Sequence, residues 1–174
     1  MPQKIDFAKL SLKDALDLAI LIEDEAKERY EEFTKVVGGR YKGDAADVFR
    51  TMVGYEARHG AALAERRKKI FGNAPSAVSA DALDDAEAPD RGAPRVYMSA
   101  RQAMEVALKS EEKAFDYFDS ALKFVKDPDV KKLFEELRAE EVQHQEYIKK
   151  ALASLPPGPD VEEADADEPG SDAG

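Results

Sequence analysis

The sequence predicts an all-α protein, an antiparallel four-helix bundle with a long crossover between its second and third helices. Four segments of the 174-residue chain carry apolar residues at alternating steps of three and four, which is the seam of a helical bundle. Cap residues and glycine or proline bound each segment. One connection, residues 73–98, is much longer than the others. The chain is long enough for one domain, which we expect to span residues 1–154.

The first two segments form the first predicted hairpin. Ser11 is a suitable N-cap for a helix whose seam runs over residues 12–37, and a glycine pair follows that seam. Asp44 is the next N-cap, for a seam over residues 45–70 that Gly72 ends. The short link between the two seams predicts that these helices are antiparallel neighbours.

Residues 73–98 change in character, since they are rich in proline, alanine and aspartate and show no sustained period. The segment allows at most a short helical turn, around residues 80–86. At roughly 3.3 Å per extended residue it can run the length of a helix of about 40 Å. It is therefore predicted to be a crossover that makes the second and third helices parallel.

The last two segments form the second predicted hairpin. Ser99 begins a capping box for a seam over residues 100–125. Pro128 suits the first position of a fourth helix, whose seam covers residues 130–151. The following residues 155–174 contain seven acids and no base, so we expect a disordered acidic tail.

Composition excludes several classes of function. The formal net charge of −11, seven units of which lie in the predicted tail, argues against nucleic acid as a partner. No apolar run approaches eighteen residues, which argues against a membrane span, and no secretory signal is visible, so a cytoplasmic location is expected. Without cysteine there is no disulfide, thiolate zinc site or rubredoxin-type iron centre.

Both histidines of the chain lie in Glu-x-x-His pairs, Glu56–His59 and Glu141–His144, inside predicted seams. Positions i and i+3 share one helix face, so each pair directs a carboxylate and an imidazole the same way. One such pair is a weak signal, because Glu and His are ordinary residues of helix surfaces. Two inward-facing copies are a much stronger indication of a metal site.

The two halves of the chain also repeat each other. Glu23 precedes Glu56 by 33 residues, and Glu111 precedes Glu141 by 30. In each half the first glutamate lies 14 residues before the end of its seam, and the second lies 11 residues after the next seam begins. In antiparallel hairpins these counts place both at one depth, so six side chains are predicted to meet near mid-bundle: Glu23, Glu56, His59, Glu111, Glu141 and His144.

Four inward carboxylates would carry about −4 in one core, which two divalent cations offset. Carboxylates with two imidazoles suit iron or manganese, and zinc also binds such sets. For any single position the more common explanation is not a metal ligand but a glutamate paired with Arg66, or a hydrogen-bonded core histidine. The six positions together favour metal.

This pattern resembles the ferritin-like di-iron carboxylate superfamily, and within it the rubrerythrin branch, over about residues 8–153. The resemblance implies two iron ions per chain. By that resemblance Glu23 and Glu111 are terminal ligands, Glu56 and Glu141 bridge, and the two histidines, His59 and His144, each cap one metal.

Two tyrosines enter through the same resemblance. Tyr30, two turns beyond Glu23, matches a family tyrosine beside the metal ligands. Its counterpart in the second half is Phe118, with Tyr117 beside it, so the second hydroxyl is either missing or displaced to Tyr117.

Two departures from the family pattern concern reactivity. Full-length rubrerythrins carry a rubredoxin-like module, and some carry an extra glutamate on the third helix; here the module is absent and that position is Ala114. The resemblance therefore implies reduction of hydrogen peroxide or dioxygen with electrons from a separate donor protein.

Ferroxidase activity with iron storage is the first alternative, and a non-catalytic helical interaction module with a structural metal is the second. Rubrerythrin-like chains commonly pair, and the 73–98 crossover would let hairpins exchange, so a homodimer, with or without swapping, is expected.

Overall fold

The computed structural model describes residues 5–83 and 86–156. Its four long helices are α1 (Leu12–Val37), α2 (Ala45–Phe71), α3 (Ala100–Leu122) and α4 (Pro128–Ser154), with single 3-10 turns at Phe7–Lys9 and Ala80–Ala82. The described residues contain no strand, which confirms the all-α prediction. The predicted acidic tail lies, beyond residue 156, outside the described residues.

The helices begin at the predicted caps. The side chains of Ser11 and Asp44 accept backbone N–H bonds from three residues further on, at 3.2 and 3.1 Å. Ser99 and Gln102 complete a capping box with bonds of 3.1 and 2.9 Å. Asp127 caps α4. Each such cap stabilises its helix by about 1 kcal/mol.

The helix ends differ slightly from the predicted seams. Gly38 and Gly72, with φ of 63° and 58°, end α1 and α2 in a conformation that glycine adopts without strain. The third helix ends at Leu122, although its seam extends to Val125. Its backbone tightens there, because the N–H groups of residues 123 and 124 bond three residues back instead of four.

Two apolar clusters, one toward each end of the bundle, establish the topology. The first cluster joins the N-terminal halves of α1 and α4 to the C-terminal halves of α2 and α3, and includes Leu16, Leu63, Phe118 and Phe134. The second joins the opposite halves and includes Phe33, Phe49, Ala103 and Ile148. Helices α1 and α2 are therefore antiparallel, as are α3 and α4, whereas α2 and α3 are parallel.

The crossover runs from one end of the bundle to the other. Val78, Leu83 and Ala86 pack against the first cluster, and Ala93 and Met98 belong with the second. The prediction of a crossover that follows the bundle axis is confirmed. Within the described residues, no helix is both long enough and apolar enough to cross a bilayer.

Candidate metal centre

Four glutamates, one from each helix, lie buried between the two apolar clusters. Glu23 on α1, Glu56 on α2, Glu111 on α3 and Glu141 on α4 expose between 1 and 5% of their surface. A carboxylate this deep is unfavourable unless it is protonated, paired or bound to a cation. The bundle therefore concentrates acidic groups at the depth that the residue counts predict.

The structure brings all six predicted residues together in two groups. Glu23, Glu56 and His59 form one, and Glu111, Glu141 and His144 form the other. Each residue offers one ligand atom, and within a group these atoms all lie within 4.8 Å of one another. Each group combines one residue from the first helix of a hairpin with the Glu-x-x-His pair of the second.

The Nδ1 atom of each imidazole faces the carboxylates. His144 Nδ1 lies 3.0 Å from Glu111 Oε2 and 3.5 Å from Glu141 Oε2. His59 Nδ1 lies 3.8 Å from Glu23 Oε2. Both histidine side chains remain about a quarter exposed, so this side of the centre is closer to solvent than the glutamates are.

Several carboxylate oxygens lack a hydrogen-bond donor. The Oε2 atoms of Glu23, Glu56 and Glu141 are buried and make no hydrogen bond within the described part of the chain. Buried polar atoms rarely stay unpaired in native proteins, and one divalent cation bound in each group would satisfy these oxygens. The donor set fits a pair of metal ions, and its carboxylates and imidazoles suit iron or manganese, and also zinc.

Protonation follows from the same burial. Burial raises the pKa of Glu23, Glu56 and Glu141 well above the usual value, and neighbouring carboxylates raise it further. Burial and the adjacent His144 lower the pKa of His59 to about 4. His59 is therefore neutral at pH 7, which is the state in which an imidazole binds metal.

A fifth glutamate, Glu87 of the crossover, also lies at the centre as a seventh candidate residue, and sequence reasoning missed it. It is 2% exposed, and its carboxylate lies within 4.8 Å of ligand atoms of Glu56 and Glu111. The only signal in the sequence is its position between Ala86 and Ala88, whose small side chains permit close approach to the helices. The crossover thus places a carboxylate at the centre that the helical pattern does not predict.

The two tyrosines occupy different surroundings. Tyr30 is fully buried, and no partner among the described residues lies within hydrogen-bonding distance and geometry of its hydroxyl. Burial raises its pKa well above the usual value, and the nearby carboxylates of Glu111 and Glu56 add to that rise. Tyr117 instead packs its ring against Phe7 and Phe118, with centroids 6.0 and 5.6 Å away. A role for either at the metal centre stays a prediction.

A cavity of about 210 Å³ opens onto one side of the centre. Its inner wall includes Glu111 and His144, and the tyrosines Tyr55 and Tyr147 line it with ring centroids 5.7 Å apart. The remaining lining residues are Met52, Gln143 and Ile148. Pockets for drug-sized ligands occupy about 300–1,000 Å³, so this one suits a much smaller molecule.

Comparisons with known proteins agree with this geometry. The rubrerythrin family model matches residues 14–152, with an overlapping match over residues 102–169. A similar solved structure is that of an uncharacterised conserved protein from Magnetospirillum magnetotacticum MS-1. It is 27% identical, with a TM-score of 0.63, over 86% of this chain and 98% of the other. Among curated proteins, none matches this chain significantly.

Proposed function

This chain belongs to the rubrerythrin family, and from that membership we propose that it is a di-iron oxidoreductase that reduces hydrogen peroxide or dioxygen. One observation carries the proposal: the core holds two Glu-Glu-His groups, and three of their buried carboxylate oxygens have no hydrogen-bond partner among the described residues. A structural metal site would need no cavity leading to it. Here a small cavity reaches Glu111 and His144.

In this proposal Glu23 and His59 would hold one iron, and Glu111 and His144 would hold the other. Glu56 belongs to the first group and Glu141 to the second, and the family resemblance assigns both a bridging role. A bound pair of ferrous ions would supply the two electrons that, with two protons, reduce one peroxide molecule to two water molecules. The electrons that restore the ferrous state would come from a separate donor protein, since the sequence has no cysteine for a rubredoxin-type centre.

The cavity beside the centre provides a path for a small oxidant. The 210 Å³ cavity is lined mainly by Met52, Ile148 and the rings of Tyr55 and Tyr147, and it has room for peroxide or oxygen. At its inner end the carboxylate of Glu111 and the imidazole of His144 would hold a metal. The buried hydroxyl of Tyr30 lies near the carboxylates of Glu111 and Glu56 and would donate a hydrogen bond toward them.

Anaerobic loading with ferrous iron, followed by stopped-flow mixing with peroxide or with oxygen, tests the proposal. We expect two irons per chain to be oxidised by one equivalent of peroxide, faster than by oxygen at equal concentration. The His59→Ala, His144→Ala double variant is the matched control and should show no such phase. Oxidation and deposition of many irons per chain would instead identify an iron-storage protein.

A further inference from the structure

We propose that Glu87 is a seventh ligand of the metal centre, delivered by a buried strap of the crossover, residues 86–89. The inference rests on the metal centre of the proposed function but not on its reaction with peroxide. Crossovers normally lie on the protein surface, where water satisfies their backbone groups. These four residues are buried instead, and Ala86, Glu87 and Ala88 expose at most 2% of their surface.

Glu87 lies close to one residue of each ligand group. Its carboxylate lies within 4.8 Å of ligand atoms of Glu56, from the first group, and of Glu111, from the second. A carboxylate at that point can reach either metal or lie between them. None of the four helices contributes this side chain, so the crossover adds a ligand that the repeat of the two hairpins does not contain.

Hydrogen bonds from helix side chains to three successive backbone carbonyls hold the strap against the helices. The Ser110 hydroxyl donates to the carbonyl of Glu87, and Lys113 Nζ donates to that of Ala88 at 2.7 Å. Arg29 Nη1 donates to the carbonyl of Pro89 at 2.6 Å. The donors come from α1 and α3, so buried carbonyls that would otherwise be unsatisfied are paired on both sides of the strap. The backbone that carries Glu87 is thereby held in one position.

The carboxylate itself is left incomplete. Glu87 Oε2 is buried and has no hydrogen-bond partner within the described residues. The side chains grouped with it, Glu56 and Glu111, are also acidic. A carboxyl group has at most one O–H to donate, so these groups cannot satisfy all of one another's oxygens. A bound cation would satisfy the unpaired oxygen and offset the like charges together.

Metal binding without turnover tests the inference. Apo wild type, Glu87→Gln and the control Asp81→Asn, which removes an exposed acid of the same crossover, are titrated with Co²⁺ and followed by visible absorption. We expect wild type and control to bind two ions per chain. Glu87→Gln should bind at least one ion about tenfold or more weakly, a loss at least as large as that for removing a hydrogen-bond partner of a metal ligand.

Thermal unfolding of the metal-free proteins separates ligation from a structural role. If Glu87 is a ligand, metal-free Glu87→Gln should melt at or above metal-free wild type, because a neutral amide does not repel Glu56 and Glu111. A structural Glu87 would instead lower the melting temperature. Glu87→Ala repeats the comparison without a buried amide and should show the same loss of affinity.

The outcomes are distinct. Wild-type Co²⁺ affinity in either folded Glu87 variant would overturn the inference while leaving the proposed function standing. A melting temperature well below that of wild type in both metal-free variants would assign Glu87 a structural role and would also overturn it. Failure of wild type itself to bind two ions would remove the metal centre, and this proposal with it.

Discussion

The imidazole rings of His59 and His144 stack face to face, with centroids 4.5 Å apart and planes inclined by 6°. They come from α2 and α4, the second helices of the two hairpins, and each has its Nδ1 atom directed at its own pair of glutamates. The sequence repeat thus becomes a spatial one, with one imidazole for each of two adjacent metal positions.

This pairing predicts that the two histidines act on separate metals. Each of the single variants His59→Ala and His144→Ala should weaken one of two sites, and the double variant should lose most bound metal. Elemental analysis after iron loading and desalting should give a ratio near two for wild type. Glu146→Gln, which changes an exposed acid two residues beyond His144, is the control and should keep both metals. Tight binding of two metals by the double variant would contradict the assignment of His59 and His144 as metal ligands.

The metal-free protein should become less stable as pH rises from about 4.5 toward 8. Burial raises the pKa of Glu23, Glu56, Glu87 and Glu141 above the ordinary value of 4.5, so the folded state holds protons that the unfolded chain releases. Stability falls with rising pH wherever the folded state binds more protons. His59 acts oppositely, because its pKa falls from 6.5 to about 4, but it is one group against four.

Melting temperatures of the metal-free and metal-loaded protein between pH 5 and pH 8 check this dependence. Metal binds the deprotonated ligands, so its affinity rises with pH and the melting-temperature difference between the two forms should widen. A metal-free protein that gains stability steadily from pH 5 to pH 8 would contradict the raised pKa values.

Glu56→Gln should leave the metal-free protein as stable as wild type at pH 7.5, or more stable. Glu56 is 2% exposed and its pKa is raised by burial and by the adjacent Glu111 and Glu23, so a neutral amide relieves an unfavourable charge. Urea denaturation of both metal-free proteins gives the comparison, and Glu65→Gln on the exposed face of α2 is the control. Clearly greater stability of metal-free wild type would mean that these carboxylates do not repel one another.

The chain is expected to form a homodimer whose assembly does not need residues 155–174. Helix α4 ends at Ser154, and both ligand groups are completed by the two hairpins of one chain. Truncation after Ser154 should therefore leave the dimer, the helix content and the metal ratio unchanged in light scattering, circular dichroism and elemental analysis. Monomers after truncation, or a large shell only with the full chain, would identify the tail as an assembly element.

The local rules of helix formation were enough to predict most of this molecule. The caps at Ser11, Asp44 and Ser99 marked where helices begin, because capping depends on residues a few positions apart. The steps of three and four identified the buried faces, and the same periodicity assigned Glu56 and Glu141 to them. A repeat between the halves then predicted that these residues meet at one depth.

Tertiary structure alone decided the positions of residues that the helical periodicity does not predict. Glu87 lies in an irregular segment, and its position depends on donors from Arg29, Ser110 and Lys113, which are between 23 and 60 residues away from the carbonyls that they hold. Tyr117 is one residue from a core position, yet its ring packs on Phe7. A helical seam is encoded by near neighbours in the chain, whereas the path of a crossover is set by distant side chains that satisfy its buried backbone.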